Sequence, residues 1–348
     1  MPDTAELKKA IVTRDLLRGA RNAVRTCLGI GPDDVVTVIC DEASIRVAAA
    51  IREEIEAAGA RSSAFILERH AQRPLAHLPS EIARSLERST ASVYTVHPRD
   101  GEFEHRRELI AMVAPCKLRH AHMIRITEDA MRQGMLSDYR RVAALNLFMK
   151  AKLLAGQEIR VTSASGTDVR VVLDPSEPIE SAAGVIAPGE WSNLPNGEVY
   201  TVPSSVDGVY VCDGIAPSEQ KLGSSELPRR PLRFDMKGGR LVGIEGGPGD
   251  LAAEILDAVK RGQNVDRVGM FAVGTNFEIL MPIGDASQDM FMPGAYFSLG
   301  RPFAVGTSSW SSTCQLSFSG RKTSLSVGKE TLVEAGRYPQ RVLDALRV

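Results

Sequence analysis

Histidine is missing from most of this 348-residue chain. The sequence has six histidines, and none of them lies beyond His122. Neutral imidazole is the commonest side chain for binding zinc and related metals in proteins. A hydrolytic metal site in the later part of the chain would therefore have to be built without its usual nitrogen ligand.

Cysteine is also scarce and forms no recognisable motif. The five cysteines include no C-x-x-C pair, and their number is odd; they are Cys27, Cys40, Cys116, Cys212 and Cys314. This pattern argues against a disulfide framework or a zinc knuckle and is typical of reduced thiols. Residues 1–6 are polar and acidic, so we expect them to begin a helix rather than to form a signal peptide. We therefore expect a cytoplasmic protein.

The chain has neither an excess of one charge nor a long apolar run. Its net charge is −1 and its pI is near 6.6, which disfavours a nucleic-acid partner because such proteins present a basic face. No apolar stretch approaches the roughly 20 residues that span a bilayer. We expect the partner to be a small-molecule substrate, with neither nucleic acid nor membrane involved.

The first part of the chain alternates between strand and helix patterns. The continuous apolar run 35–40 is typical of a strand buried on both faces, and short connections to the next elements favour parallel pairing. The predicted strands are 35–40, 63–67, 92–96 and 122–126, and the predicted helices between them are 45–58, 81–88 and 106–112. We therefore predict a doubly wound α/β domain over residues 1–150.

The pattern changes to short strands with Gly and Pro turns in the second part. Segments 158–162 and 168–173 alternate around Ser165-Gly166-Thr167, which indicates a hairpin. A single helix is predicted at 250–261. We therefore expect a β-rich α+β domain over residues 151–348.

Ligand-binding signals in the first domain are ambiguous. Asp41-Glu42-Ala43-Ser44 follows the first strand, where open α/β sheets bind ligands, but a helix cap explains it as well. No G-x-G-x-x-G follows that strand, which disfavours a dinucleotide site. His120 and His122 alternate on one face of a strand and could hold a metal, but surface or structural roles are the simpler interpretation.

The segment 193–203 places Glu198 on a turn that Pro195 and Gly197 fix. The pattern alone is compatible with a metal ligand, an acid–base group or a solvated turn carboxylate. The longer segment 184–200 resembles the signature of the aminopeptidase T family of metalloaminopeptidases, whose fold includes the iron-dependent 2,5-dihydroxypyridine dioxygenases. Three other stretches resemble the same family in the same order: 126–139, 165–168 and 268–276.

This resemblance implies a metal site of two Glu, two His and one Asp, most of which the chain has lost. Glu198 corresponds to the first Glu, whereas Met270 takes the place of the second Glu and Tyr296 that of a His. Gln315 and Ser317 fall on the His-x-Asp pair. One carboxylate and a phenol hold a catalytic cation poorly, so we expect no metal and no cofactor.

The favoured hypothesis is a metal-independent enzyme that hydrolyses an amide-like bond or rearranges its substrate. Glu198 serves as general acid or base, with its pKa raised by apolar neighbours, and Tyr296 is its catalytic partner. The expected substrate-binding residues are Met270, Asn276, Gln315 and Ser317.

Two alternatives stay open at the sequence level. A non-catalytic pseudo-peptidase could bind a small molecule or partner in the same cleft. An altered metal site for an aminopeptidase or dioxygenase could instead combine Glu198 with Glu278, Asp285 and Asp289. The resemblance also implies a homodimer in which the first domain helps to close the cleft. Whether Glu42, Ser44 or His122 of that domain reaches the site stays open at the sequence level.

Overall fold

The computed structural model describes residues 3–156, 158–217, 227–302, 308–312 and 314–346. The chain divides into two compact units. Unit 1 contains residues 1–139 and 184–196, and unit 2 contains residues 140–183 and 197–348. The sequence indicates a single boundary near residue 150, but that position lies inside a helix that begins at Tyr139, so the chain changes unit at the helix start instead.

Unit 1 is an α/β unit. Its strands are β1 Val35–Cys40, β2 Arg61–Ile66, β3 Ala91–Tyr94, β4 Arg119–His122 and β8 Trp191–Asn193. Its helices are α1 Thr4–Leu7, α2 Arg14–Arg21, α3 Ile45–Ala57, α4 Leu67–His70, α5 Ser80–Leu86, α6 Phe103–Val113 and α7 Glu128–Arg132, and a π-helical stretch Asn22–Cys27 continues α2. Helix α8 Tyr139–Ala155 leads into unit 2.

The five strands of unit 1 form one parallel sheet in the order β2-β1-β3-β4-β8. Strand β1 lies between β2 and β3, so the chain winds outward in both directions from it, which is the doubly wound arrangement. The predicted strand 35–40 is confirmed, and its side chains from Val36 to Cys40 are buried, as expected for a strand covered on both faces.

The predicted strand 122–126 is wrong in its position. Strand β4 ends at His122, where its pairing with Tyr94 at the end of β3 also ends. The chain then turns, and Arg125 takes a left-handed conformation with φ of 55°. The apolar character of this segment comes from burial of Met123 and Ile126 in the turn, and a burial pattern alone does not distinguish that from a strand.

A buried arginine organises the carboxyl edge of the parallel sheet. The Arg73 guanidinium donates to Glu102 at 2.6 and 2.7 Å, to Glu68 at 2.7 Å and to Asp41 at 3.2 Å. Asp41 also forms a capping box with Ser44 ahead of α3, so the structure supports the cap interpretation of this segment. These carboxylates are therefore committed to structural contacts in unit 1.

Unit 2 is built from antiparallel strands. They are β5 Ile159–Thr162, β6 Asp168–Leu173, β7 Glu180–Ala182, β9 Glu198–Thr201, β10 Pro203–Cys212, β11 Leu232–Lys237, β12 Arg240–Gly246, β13 Val268–Gly274, β14 Gly294–Gly300, β15 Gln315–Ser319, β16 Ser324–Val327 and β17 Glu330–Val333. Its other helices are α9 Leu251–Arg261, α10 Ala286–Asp289 and α11 Gln340–Asp344. The predicted hairpin and the predicted helix at 250–261 are confirmed. The prediction that this is the one helix of the second part is wrong, because the short helices α10 and α11 also form there.

Two sheets share the core of unit 2. The larger has the order β12-β11-β10-β6-β5-β16-β17, and the smaller has the order β15-β14-β13-β9-β7. Aromatic side chains meet in this core, with ring centroids of Tyr210 and Phe297 4.4 Å apart and those of Phe234 and Phe318 4.6 Å apart. Since Phe297 and Phe318 point into the core, the neighbouring residues of β14 and β15 occupy the opposite face of the smaller sheet.

Candidate active site

The strand register brings the predicted residues to one face of the smaller sheet. Ala272 pairs with Tyr200 on one side and with Tyr296 on the other, and Gly274 pairs with Glu198. Ser298 pairs with Met270 and with Ser317. Because paired residues share a face and alternate residues of a strand share it too, one face carries Glu198, Met270, Tyr296, Gln315 and Ser317.

Glu198 and Tyr296 form a buried hydrogen-bonded pair. Their residues are 5% and 4% exposed, and the Tyr296 hydroxyl donates to Oε2 of Glu198. Burial raises the pKa of Glu198 to about 7, although the hydrogen bond from Tyr296 acts in the opposite direction. Burial and the adjacent carboxylate together raise the pKa of Tyr296 well above its ordinary value. Glu198 therefore titrates near neutral pH, whereas the phenol of Tyr296 keeps its proton there.

Apolar side chains around the pair explain the raised pKa. Met270, Ala272 and Tyr296 form a small buried cluster, and Tyr200 and Met290 pack against it. No cationic partner for Glu198 lies among the contacts of the described residues, so only the hydrogen bond from Tyr296 offsets the cost of burying the charge. Met270 is thus one of the apolar neighbours that were expected to raise the pKa of Glu198.

The main chain of Glu198 is fixed by a residue that the sequence analysis missed. Asn146, on α8, is fully buried and donates to the Glu198 carbonyl at 2.9 Å and to the Ser181 hydroxyl at 3.0 Å. The Thr275 hydroxyl donates to the Asn146 side-chain oxygen. A single amide among the apolar residues of segment 142–149 was the available signal, since buried polar groups need partners.

The turn before Glu198 depends on Gly197. Its φ is 147°, and a Cβ at this position would lie 2.8 Å from the Asn276 backbone nitrogen. The Thr275 backbone nitrogen donates to the Gly197 carbonyl at 2.8 Å. Asn276 therefore lies just beyond β13 and packs against the turn at Gly197, while its backbone nitrogen donates to the Phe291 carbonyl at 2.9 Å. The predicted role of its side chain in substrate binding stays a prediction.

Gln315 and Ser317 lie on the same sheet face as Glu198, but the strands β14 and β13 separate them from it. The hydroxyls of Ser317 and Ser298 are 2.7 Å apart and hydrogen-bond to each other. Gln315 begins β15 and pairs with Gly300 at the end of β14. Ser319, which the sequence analysis did not consider, pairs directly with Tyr296 and is therefore a nearer candidate for contact with a ligand.

A pocket of about 220 Å³ adjoins Tyr296 in unit 2. Met290, Ser319, Asp289 and Arg321 also line it. Glu198 is not a lining residue, so its connection to the pocket runs through the hydrogen bond from Tyr296. The pocket is therefore one residue removed from the buried carboxylate.

The side chains present do not fit the metal site of the resembled family. Besides Glu198, this sheet face carries Glu180, which lies exposed on the edge strand β7 opposite Tyr200. Glu278 is paired with Arg141 at 3.0 Å. Asp285 caps α10, and Asp289 accepts hydrogen bonds from the nitrogens of Ile283 and Gly284. In the described ranges, no three His, Cys, Asp or Glu side chains are grouped so that they could hold a metal ion. The contacts of these acids thus disfavour the altered metal site.

The histidines of unit 1 occupy structural positions. Nε2 of His120 lies 3.1 Å from Nδ1 of His122, and Nδ1 of His120 lies 2.8 Å from the Ser92 hydroxyl. Burial lowers the pKa of His120 to about 3 and lowers that of His122 as well. His122 stacks on Tyr94, and Ser44 is used in the cap, whereas Glu42 is exposed.

Comparison with known proteins identifies the fold. The family model for 2,5-dihydroxypyridine 5,6-dioxygenase matches residues 117–266, a stretch that includes Glu198 and ends before Met270 and Tyr296. A 2,5-dihydroxypyridine dioxygenase structure from Pseudomonas putida KT2440 matches with a TM-score of 0.66 and 18% identity, over 93% of this chain and 96% of the other. AmpT from Thermus thermophilus matches with a TM-score of 0.67 and 14% identity, over 93% of this chain and 99% of AmpT.

The chain has an aminopeptidase T-like fold. The resemblance inferred from the sequence is thereby confirmed, as are the parallel α/β part and the antiparallel β-rich part. No curated protein sequence gives a significant match. At these identities the likeness establishes the aminopeptidase T-like fold and leaves the reaction to be argued from the site itself.

No helix in the described part of the chain is long and apolar enough to cross a membrane.

Proposed function

We propose that this protein is a metal-independent enzyme that uses Glu198 and Tyr296 for acid–base chemistry on a small molecule. The observation that carries this proposal is the buried carboxylate with a pKa of about 7, hydrogen-bonded to a phenol that lines a pocket. A general acid or base works best when its pKa lies near the operating pH. Clustering of a perturbed group with a pocket is also typical of active sites.

In this proposal Tyr296 contacts the substrate, and Glu198 acts through it. In the base direction, the Tyr296 oxygen takes a proton from the substrate or from water while its own proton passes to Glu198. In the acid direction, the same protons move in reverse. The phenol stays neutral throughout, which its strongly raised pKa favours.

Two reactions suit such a relay. In hydrolysis of an amide-like bond, water loses a proton to the relay, its oxygen bonds to the carbonyl carbon, and the C–N bond breaks as the nitrogen takes a proton. In a rearrangement, the relay removes a proton from one atom and returns it to another. Neither reaction consumes an oxidant or reductant.

The test is turnover of a defined panel in the presence of EDTA. The panel contains aminoacyl p-nitroanilides, N-acyl amino acids and hydroxypyridines. We expect turnover of at least one compound to survive EDTA and to fall about a hundredfold or more in both Glu198→Gln and Tyr296→Phe. Full activity of Glu198→Gln, or activity that EDTA abolishes, would contradict the proposal.

The enclosure of Glu198 favours one alternative, a binding protein without catalysis. Its carboxylate does not line the pocket, so a ligand could occupy the pocket without meeting it. Ligands that raise the melting temperature of the wild type and of Glu198→Gln equally, with no product formed from any of them, would support this alternative.

We also propose that the protein is a cytoplasmic homodimer. The compartment is supported by the lack of any disulfide among the five cysteines. Light scattering in solution tests the dimer, since a particle of twice the 37.6 kDa chain mass is expected.

A further inference from the structure

The pocket beside Tyr296 carries an excess of positive charge. Arg321, Lys322 and Arg337 line it, and Asp289 is the only acidic residue among its lining residues. Lys322 and Arg337 are exposed at the pocket, whereas Arg321 is half-buried. Because a partly buried guanidinium is less screened by water than an exposed one, the charge of Arg321 acts more strongly inside the pocket than its exposure to solvent alone would allow.

The side chains of Arg321, Lys322 and Arg337 make no polar contact with other described residues. Within the described ranges none of their side chains has an ion pair or a hydrogen bond to a protein group. The nearby Arg341 shows the contrast, since it pairs with Glu334 at 3.1 Å. Arg321, Lys322 and Arg337 therefore remain available to a ligand.

Asp289 does not neutralise this charge. Its two carboxylate oxygens accept hydrogen bonds from the nitrogens of Ile283 at 2.9 Å and Gly284 at 2.7 Å. Burial raises the pKa of Asp289; the hydrogen bonds from Ile283 and Gly284 oppose this effect most, followed by the charge of Arg321 and a hydrogen bond with the Gln288 side chain. No ion pair joins Asp289 to Arg321 among the described residues. The Asp289 carboxylate thus accepts hydrogen bonds from its own loop, and the Arg321 guanidinium has no ion pair with it.

The backbone that carries the exposed cations is constrained. Lys322 has a φ of 49° and Ala335 a φ of 46°, both unusual for residues other than glycine. A Cβ on Gly336 would lie 3.0 Å from the Lys322 Cα, so the two segments pack closely. Strained residues of this kind cluster at ligand sites, and here they hold Lys322 and Arg337 at one pocket.

The remaining lining is largely apolar and the volume is small. Leu280, Met290, Met292 and Tyr296 contribute apolar surface. A volume of about 220 Å³ corresponds to roughly seven water molecules at their liquid volume. The matching ligand has a short apolar body and a single anionic group.

We infer that this pocket selects small carboxylates, with Arg321 binding the carboxylate group and the apolar body lying against Tyr296 and Met290. The planar guanidinium fork matches a carboxylate in a two-point contact. This inference rests on the proposed function, because it names the substrate class of the same site.

The test compares benzoate with its neutral analogue benzamide by titration calorimetry at low salt. We expect benzoate to bind the wild type about tenfold or more tightly than benzamide, and added NaCl to weaken benzoate alone. Arg321→Gln should remove this preference. Lys329→Gln, which changes an exposed cation outside the pocket, should leave it intact.

Equal affinity for the two probes, absence of binding by both, or an unchanged preference in Arg321→Gln would overturn the inference. The salt dependence of the wild type provides a second readout if Arg321→Gln folds poorly. Benzoate binding measured in Glu198→Gln separates the two proposals, because anion selection needs no acid–base group. A preference that persists while Glu198→Gln retains full turnover would sink the proposed mechanism and leave the anion site standing.

Discussion

At the scale of single residues, burial gives Glu198 its chemistry. A carboxyl group on a surface turn ionises near its ordinary pKa of 4.5, whereas here burial raises that pKa to about 7. The phenol of Tyr296 provides a hydrogen bond and no opposite charge. Glu198 therefore gains and loses its proton near neutral pH. The same burial makes the ionised Glu198 destabilising at high pH.

Replacement of Glu198 by Gln should make stability depend less on pH. The folded wild type keeps a proton that the unfolded chain releases between pH 4.5 and 7, so its stability falls as pH rises through that window. We expect Glu198→Gln to gain roughly 3 kcal/mol relative to the wild type between pH 4.5 and 8. Urea unfolding at both pH values measures this. Glu245→Gln, an exposed site on β12, should track the wild type, and identical behaviour of the two variants would refute the burial argument.

Tyr296→Phe should move the titration of Glu198 upward. The Tyr296 hydrogen bond favours the ionised carboxylate, so its loss leaves burial unopposed and raises the pKa of Glu198 above about 7. Infrared difference spectra of the carboxyl C=O band against pH, assigned with Glu198→Gln, measure the midpoint. A midpoint that stays in place or falls would show that the two groups do not interact as described.

At the scale of elements, strand pairing and one tight turn assemble the site. Strands β9, β13 and β14 place Glu198 and Tyr296 on the same face of the sheet. A shift of β9 or β14 by one residue would move Glu198 or Tyr296 to the opposite face. Gly197 allows the chain to enter β9 against the Asn276 backbone. Main-chain contacts thus set the geometry of the Glu198–Tyr296 pair, and the identity of the side chains does not predict these contacts.

Gly197→Ala should destabilise the protein by about 1–3 kcal/mol, because the added Cβ meets backbone atoms and the φ of 147° disfavours alanine. Gly31→Ala is the matched control, since no atom lies within 4 Å of its added Cβ and its φ is not in the positive range. Urea unfolding measures both. Equal midpoints for the two variants would show that the turn has room for a side chain.

At the scale of the whole molecule, the two units carry ionisable groups with opposite effects on stability. In unit 1, burial raises the pKa of Glu102, but hydrogen bonds from Arg73 and two backbone nitrogens outweigh it and lower the pKa to about 2. In unit 2, the pKa of Glu198 is raised. Glu102 therefore stabilises unit 1 above its unfolded pKa, whereas ionised Glu198 destabilises unit 2 above pH 7.

Acidification should affect the two units in a fixed order. As pH falls from 8 to 4.5, we expect amide exchange in unit 2 to slow after correction for intrinsic rates, because Glu198 takes up its proton. Below pH 4.5, unit 1 should lose protection as Glu102 is protonated and its contact with Arg73 weakens. Hydrogen-exchange mass spectrometry resolves the units, and loss of protection in unit 2 first would contradict the assignment.

The sequence determined much of the fold and part of the site. Apolar runs and Gly or Pro turns were enough for β1, the hairpin of β5 and β6, and α9, because these depend on local periodicity. Apolar runs predicted a strand wrongly at 122–126, because residues buried in a turn there give the same apolar pattern as a strand. Glu198 and Tyr296 were predicted from their places in a family pattern, and the structure shows that they are in contact. Asn146 and Ser319 were not predicted, because their places near Glu198 and Tyr296 depend on contacts between residues far apart in the chain.

The sequence by itself determined which donor groups this chain possesses: a single conspicuous carboxylate, no histidine beyond His122, and Met, Tyr, Gln and Ser in the expected ligand positions. Only the tertiary structure decided that Tyr296 donates to Glu198, that burial raises the pKa of this carboxylate to about 7, and that Arg321 remains unpaired in the adjoining pocket. Hydrogen bonding, burial and charge pairing depend on distances between residues far apart in the chain, and local sequence does not specify those distances.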